Sequence, residues 1–360
     1  MKVQHLARIV LLCALPLMAL LANGQVTASV PYTVSVFATS VLGVYFQPDS
    51  IATLDGHIFI GFGNNVATNG SDGKSSTIVE YDRNGNVITT YSVKGHNDGL
   101  KVDPRTRLLW AMQNEDGNPN LVIIDPTTRS QKVYTFGPTP HGGGYDDMAF
   151  NGQDVFISAS NPANNPNNAP AIVRAQISGT MVNVSPVLLG TATAIDIPTE
   201  TPVTMNMQDP DSMKFDPFGD LVLDSQADAE LIILHHPGAF DQTVYHLPLT
   251  LDGAPVQIDD TVYATKSHGV LLVSDRDGET IYSISKDIFA PGSAYSATPT
   301  SVGKLDLDTG VITNAVTGMV SPHGMAFLAE KEQRIGAVNA APIPSYISLP
   351  TSTIERRRPQ

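Results

Sequence analysis

The stretch Asp98-Gly99-Leu100-Lys101-Val102-Asp103-Pro104 sets an acid ahead of alternating apolar positions and ends on a turn dipeptide. That is the layout of a half-buried strand running into a tight turn. It returns five times, as Asp49-Ser50-Ile51, Asp146-Asp147-Met148-Ala149-Phe150, Asp211-Ser212-Met213-Lys214-Phe215, Asp259-Asp260-Thr261-Val262-Tyr263 and His323-Gly324-Met325-Ala326-Phe327. The leading residues are 49, 48, 65, 48 and 64 positions apart. Three nearly equal intervals, and two lengthened by a similar insertion, mark an internal repeat. A period of about 40–50 residues is that of a β-propeller blade.

Further strands follow within each unit. Apolar alternation marks second strands at 58–60, 108–110, 155–157, 221–223 and 270–273, and third strands at 77–81, 121–124, 171–173, 231–234 and 280–284. A fourth shows at 87–91, 132–134 and 244–247. The sixth unit offers only 334–338 as a second strand before Pro342 and Pro344. The alternating run Tyr32 to Phe37 is expected to supply its outer strand and so remove an open sheet edge. The expectation is an all-β, six-bladed propeller of four-stranded antiparallel blades, closed by this N-terminal strand. Two irregular stretches, Asn161 to Pro170 and Thr191 to Gln208, are expected to crowd one rim of the channel, and unit five is lengthened around Ile288 to Ser301.

Composition agrees with strands and turns. Of 360 residues 42% are hydrophobic and only 16% charged, with 29 Gly and 26 Pro. Residues 1–24 read as a secretory signal: Lys2 and Arg8 precede the apolar run Ile9 to Leu21, and Ala22 and Gly24 suit cleavage before Gln25. A retained anchor is the alternative, although a span needs about 20 apolar residues. Cys13, the sole cysteine, lies in that run, which excludes disulfide and thiol chemistry from the mature chain. Cleavage removes two bases and no acid, leaving 35 acids against 19 bases. A net charge of −16 repels phosphate backbones and excludes nucleic acid as a partner. The basic cluster Arg356, Arg357 and Arg358 falls in a tail over 346–360, beyond a single domain spanning 25–345. The picture is a secreted or periplasmic monomer without a membrane segment after cleavage. Asn69-Gly70-Ser71 and Asn183-Val184-Ser185 match the glycosylation acceptor pattern.

The repeat register also locates a candidate site. Asp49, Asp98, Asp146, Asp211, Asp259 and His323 each stand at the entry of an innermost strand, so they should meet at one mouth of the channel. Carboxylates brought together raise one another's pKa values unless a cation neutralises them. Hard oxygen ligands suit Ca²⁺ first, or Mg²⁺, and His323 admits Mn²⁺ or Zn²⁺. The alternative is that each Asp caps a tight turn. His96, and His141 in the glycine-rich loop Gly137 to Gly144, fall on the same face and are candidate proton acceptors. Asp224 and Asp275, after second strands, are candidates for a second ring of acids. His235-His236 is placed on the opposite face or the exterior and set aside as a metal pair. Neither Gly-x-Ser-x-Gly nor His-Glu-x-x-His occurs.

The units Asp98 to Pro104 and His323 to Phe327 resemble the opening strands of SMP-30/gluconolactonase-like and NHL-repeat propellers, and the repeat pattern extends over most of the mature chain. In the lactonase family a single divalent cation at the top of the channel, held by a Glu, Asn residues and an Asp, activates the ring-opening water. The resemblance places Asn114 and Asp211 near the family's Asn and Asp ligands. It departs at Gln47-Pro48-Asp49, where the family carries a Glu-Gly-Pro stretch, so the metal-binding Glu is absent or replaced by Asp49. The implied activity is metal-dependent hydrolysis of small esters or lactones. The other reading is a non-enzymatic propeller that binds an extracellular protein, peptide or glycan through its top-face loops.

Overall fold

A computed structural model describes residues 25–330. The segment 1–24 expected as a signal, the strand expected over 334–338 and the tail expected over 346–360 lie outside the described residues. The described chain is all strand and turn, with no helix. All six repeat openings are strands: Pro48–Leu54, Asn97–Val102, Met148–Asn151, Pro210–Phe215, Thr261–Tyr263 and Pro322–Ala329. Each pairs antiparallel with one partner and then packs beside the next opening strand. In this way Pro48–Leu54 lies against both Asn97–Val102 and Pro322–Ala329.

The first sheet runs Pro48–Leu54, His57–Phe62, Ser75–Tyr81, Val87–Lys94. An eight-stranded sheet holds two such four-strand sets, opened by Asn97–Val102 and Met148–Asn151, whose outer strands Gln131–Phe136 and Met181–Leu189 pair in parallel. The next set begins at Pro210–Phe215 and ends at Thr243–Pro248. Turn chemistry recurs with the strands. Asp103 accepts from Arg105 N and Thr106 Oγ1, and Asp125 accepts from Thr127 N and Thr128 Oγ1, so Asp-Pro-x-Thr closes both the inner and the outer hairpin of the set opened by Asn97–Val102.

The last two units depart from a simple succession. Gly269–Asp275 and Thr280–Ser285, expected as second and third strands behind Thr261–Tyr263, pair instead with Pro322–Ala329 and with each other. Thr261–Tyr263 takes Ala294–Thr298 as its neighbour, followed by Ser301–Leu305 and Val311–Thr317. The stretch expected as an irregular lengthening at 288–301 therefore holds the strand Ala294–Thr298 in its second half. Thr33–Thr39 borders Thr280–Ser285, in the same sheet as His323, and Thr27–Ala28 borders Val311–Thr317. The N-terminal segment thus edges two sheets. A second correction concerns 191–208. Thr193–Asp196 and Thr201–Thr204 form a hairpin on the outer edge of the fourth set, paired to Thr243–Pro248, not a loop on the channel rim.

Apolar side chains from facing sheets interlock in six clusters, each joining two neighbouring sets. Trp110 meets Phe150 edge-on at 5.2 Å in one of them, and Tyr45 meets Phe62 at 4.9 Å in another. Strands with both faces covered read as continuous apolar runs, as in Leu121-Val122-Ile123-Ile124.

Polar staples join the inner strands. Asp147, one residue past Asp146, takes Lys101 Nζ at 2.6 Å from the preceding inner strand and Met213 N at 2.9 Å from the following one. Asp260, one past Asp259, takes Lys214 Nζ at 2.6 Å and Met325 N at 2.8 Å. The same step in the repeat carries Gly99 and Gly324, where a Cβ would stand 2.3 Å from Asp146 O and 2.6 Å from Ser50 Cα. Carboxylate or glycine at this position lets adjacent inner strands close together.

Candidate functional site

The six leading residues do converge. Asp49, Asp98, Asp146, Asp211, Asp259 and His323 all line one cavity of about 230 Å³. The same wall includes Glu115, Asp116 and Asp209, so eight carboxylates face Arg276, His96 and His323. Ser160 and Gln226 complete the lining.

Glu115, Asp116, Ser160, Gln226 and Arg276 escaped the sequence reading, yet they share a position. Each stands one to three residues past a second strand, after Leu109–Gln113, Asp154–Ser158, Leu221–Ser225 or Gly269–Asp275. A second strand runs antiparallel to the first, so its end returns to the face where the first begins. Asp224 and Asp275, expected after second strands as a further ring of acids, lie within Leu221–Ser225 and Gly269–Asp275 and stop short of the cavity. Asp275 accepts the Val320 and Ser321 amides and holds that loop. Asp224 is buried at one end of its strand. Asp209 lies two residues before Asp211, on the same face of an extended segment.

The two candidate histidines separate. His141 is buried, donates from Nε2 to Gly144 O at 2.5 Å and packs on Tyr145, so it braces its own glycine loop and does not line the cavity. Asn114 also falls outside the lining. Its Oδ1 accepts the His96 amide at 2.9 Å and its Nδ2 donates to Asn118 O. His96 does line the cavity. Its Nδ1 stands 3.1 Å from Val66 O, where only an N–H makes a bond, which leaves Nε2 as the lone-pair nitrogen. Burial holds its pKa below the ordinary 6.5, against the pull of Asp49. One ligand atom each from His96, Asp98 and Glu115 lie within 4.8 Å of one another, a spacing that a single first coordination shell spans.

A second group, Asp49, Asp259 and His323, meets the same 4.8 Å spacing but is half neutralised from within. His323 Nδ1 donates to Asp259 Oδ1 at 2.8 Å and stands 3.5 Å from Asp49 Oδ1, while Nε2 meets Ser321 Oγ at 3.1 Å. Burial alone would keep the ring neutral; Asp259 and Asp49 overcome it and raise its pKa well above the ordinary value. Burial would likewise protonate Asp49, but His323, Arg276 and His96 hold its pKa down.

The opposite wall has no such counter-charge. Burial first, then repulsion from Glu115, Asp209 and Asp259, pushes Asp146 and Asp211 far above the usual carboxylate range. Burial and repulsion from Asp49 and Asp116 take Glu115 to about 8, and burial and repulsion from Asp228 take Asp209 to about 6. In the absence of a cation the folded chain retains protons here that the unfolded chain gives up. A raised folded pKa contributes stability that is lost as pH rises through the window, here from about 4 to about 8, the Glu115 value. His323, with its own raised value, acts in the same direction from 6.5 upward. The thermal midpoint of chelator-treated protein is therefore expected to fall as pH is raised across that window, and saturating divalent cation should flatten the fall. A midpoint that climbs without added metal would contradict it.

No family model and no curated protein matches the sequence. Among solved structures the chain is similar to streptogramin B lyase at 11% identity and a TM-score of 0.44, over 81% of this chain and 73% of that one. It is similar to virginiamycin B lyase from Staphylococcus aureus at 10% identity and 0.46, over 81% and 88%. A gluconolactonase-family structure aligns at 9% identity and 0.44, over 84% and 90%. These neighbours are of the β-propeller type. Their activities are their own, and the functional reading below rests on the cavity.

Proposed function

We propose that the chain is a secreted or periplasmic six-bladed propeller and a divalent-cation-dependent hydrolase of small esters or lactones. The cyclic packing of the six inner strands, with Thr33–Thr39 bordering the sheet of the last one, supports the blade count and the closure. The observation that carries the activity is the orientation of His96. Its Nδ1–H is committed to Val66 O, and its Nε2 stands 3.9 Å from Glu115 Oε1 in a side chain that lines the cavity. Asp98 and Glu115 would hold the ion, Ca²⁺ first among Mg²⁺, Mn²⁺ and Zn²⁺. When bound, such an ion polarises a carbonyl and acidifies water. His96 accepts the proton of the attacking water at Nε2, being neutral near pH 7 because burial depresses its pKa. His323, fixed between Asp49 and Asp259, keeps that wall in place as an imidazolium.

Cation at 100-fold above its Kd is expected to add about 2.7 kcal/mol to the unfolding free energy. Thermal scans with and without EDTA, followed by refilling, check this. A panel of esters and lactones with each metal should show turnover that Asp98→Asn abolishes and a shortened 161–170 loop retains. A second cavity, of about 570 Å³ and lined by Pro140, Asn164 to Pro166 and Asn168 to Pro170, favours the other reading, a peptide- or glycan-binding platform. Substrates left intact by protein with metal demonstrably bound would decide for that platform.

A further inference from the structure

We propose that the substrate carries a primary or secondary ammonium group, which the Asp146 side of the cavity binds. The inference rests on the hydrolase reading for its chemistry and deepens it by naming a substrate class. The charge balance is the first observation. Eight carboxylates line the cavity. With every acid ionised, Arg276, imidazolium His323 and one divalent ion leave an excess of four negative charges, or one if Asp146, Asp211 and Glu115 keep their protons. A single ion therefore does not complete the site.

Asp146 supplies an independent observation. It is only 5% exposed and lines the cavity, yet its carboxylate makes no hydrogen bond among the described residues. Its backbone is fully used, with the N–H donating to Ser158 O and the C=O accepting from Gly99 N. Asp49 and Asp259 have His323, and Asp147 has Lys101. A buried carboxyl without a hydrogen-bond partner is costly to ionise unless a further cation meets it.

The lining also decides the kind of cation. It contains no Phe, Tyr or Trp, so the aromatic cage that selects quaternary ammonium is missing. Carboxylates instead favour N–H donors through charge-assisted hydrogen bonds. Anionic substrates are excluded by the same excess charge.

Three esters test this with Ca²⁺-saturated protein: methyl 6-aminohexanoate, its uncharged isostere methyl heptanoate, and the N-trimethylated ester. A charge-assisted hydrogen bond is worth about 1.5–3 kcal/mol. The expected kcat/KM for the ammonium ester is therefore roughly ten- to hundred-fold above that of methyl heptanoate, with the trimethylated ester between them. Asp146→Asn should bring the ratio close to one, and Asp209→Asn should reduce it less. Calorimetric titration of Ca²⁺-saturated protein with n-propylammonium gives a readout that needs no turnover. Equal rates for the three esters would overturn the inference and leave the hydrolase standing. Propylammonium binding without cleavage of any ester would sink the hydrolase and keep the ammonium site. Propylammonium that binds only after EDTA, and leaves when Ca²⁺ returns, would show that it merely takes the ion's place, and the inference would fall.

Discussion

Asp147→Ala is expected to cost about 3–5 kcal/mol of stability, the usual penalty for removing one partner of a buried ion pair. Asp147 is 1% exposed and joins three inner strands through Lys101 Nζ and Met213 N. Without it the Lys101 ammonium loses its principal partner and the Met213 amide, in a fully buried residue, loses its acceptor. Burial alone would lower the Lys101 pKa; Asp147 and Asp260 reverse that and raise it. The loss should appear as a lower denaturant midpoint at an unchanged slope. Asp260→Ala breaks the equivalent staple, between Lys214 and Met325, and should behave alike. Lys74→Ala removes only a solvent-exposed pair with Asp72 and is the control, expected to change little. An Asp147→Ala midpoint no lower than that of Lys74→Ala would refute the staple. Joint replacement of Lys101 by Met and Asp147 by Leu should restore much of the loss, since a buried pair exchanged for apolar side chains is often neutral or better.

His96→Gln is expected to lower kcat/KM by about 10²–10⁴, the range for removal of a positioned general base. Gln keeps a polar side chain of similar reach, so the variant should fold. The pH profile separates catalysis from support. In the parent, activity should rise with pH through the depressed His96 pKa and level off before 6.5, because burial favours the neutral ring. That acidic limb should vanish in the variant. His141→Gln, in contrast, alters a side chain spent on Gly144 O and should affect stability more than rate. Retention of activity within twofold in His96→Gln would rule out the proton-transfer role.

Much of the architecture follows from local chemistry. Alternating apolar residues and Asp-Pro or Asn-Gly turns place the six opening strands without reference to distant parts of the chain. Their common register then carries Asp49, Asp98, Asp146, Asp211, Asp259 and His323 to one cavity. Such features are legible because strand period and turn type depend on neighbours in sequence. Pairing between strands does not. The transfer of Gly269–Asp275 and Thr280–Ser285 to the sheet of His323 depends on which edges meet in space, and their alternation is the same with either partner. Side-chain commitment is equally non-local. His96 and His141 look alike in sequence, and only Val66 O and Gly144 O decide that one keeps a nitrogen for the cavity while the other does not. Arg276 and Glu115 reach the site because antiparallel strands return to the face they left. The sequence by itself determined the repeat and the ring of acids, through local periodicity. Only the tertiary structure decided which acids are neutralised from within and which, like Asp146, are buried without a partner, because a partner is defined by distance and not by position along the chain.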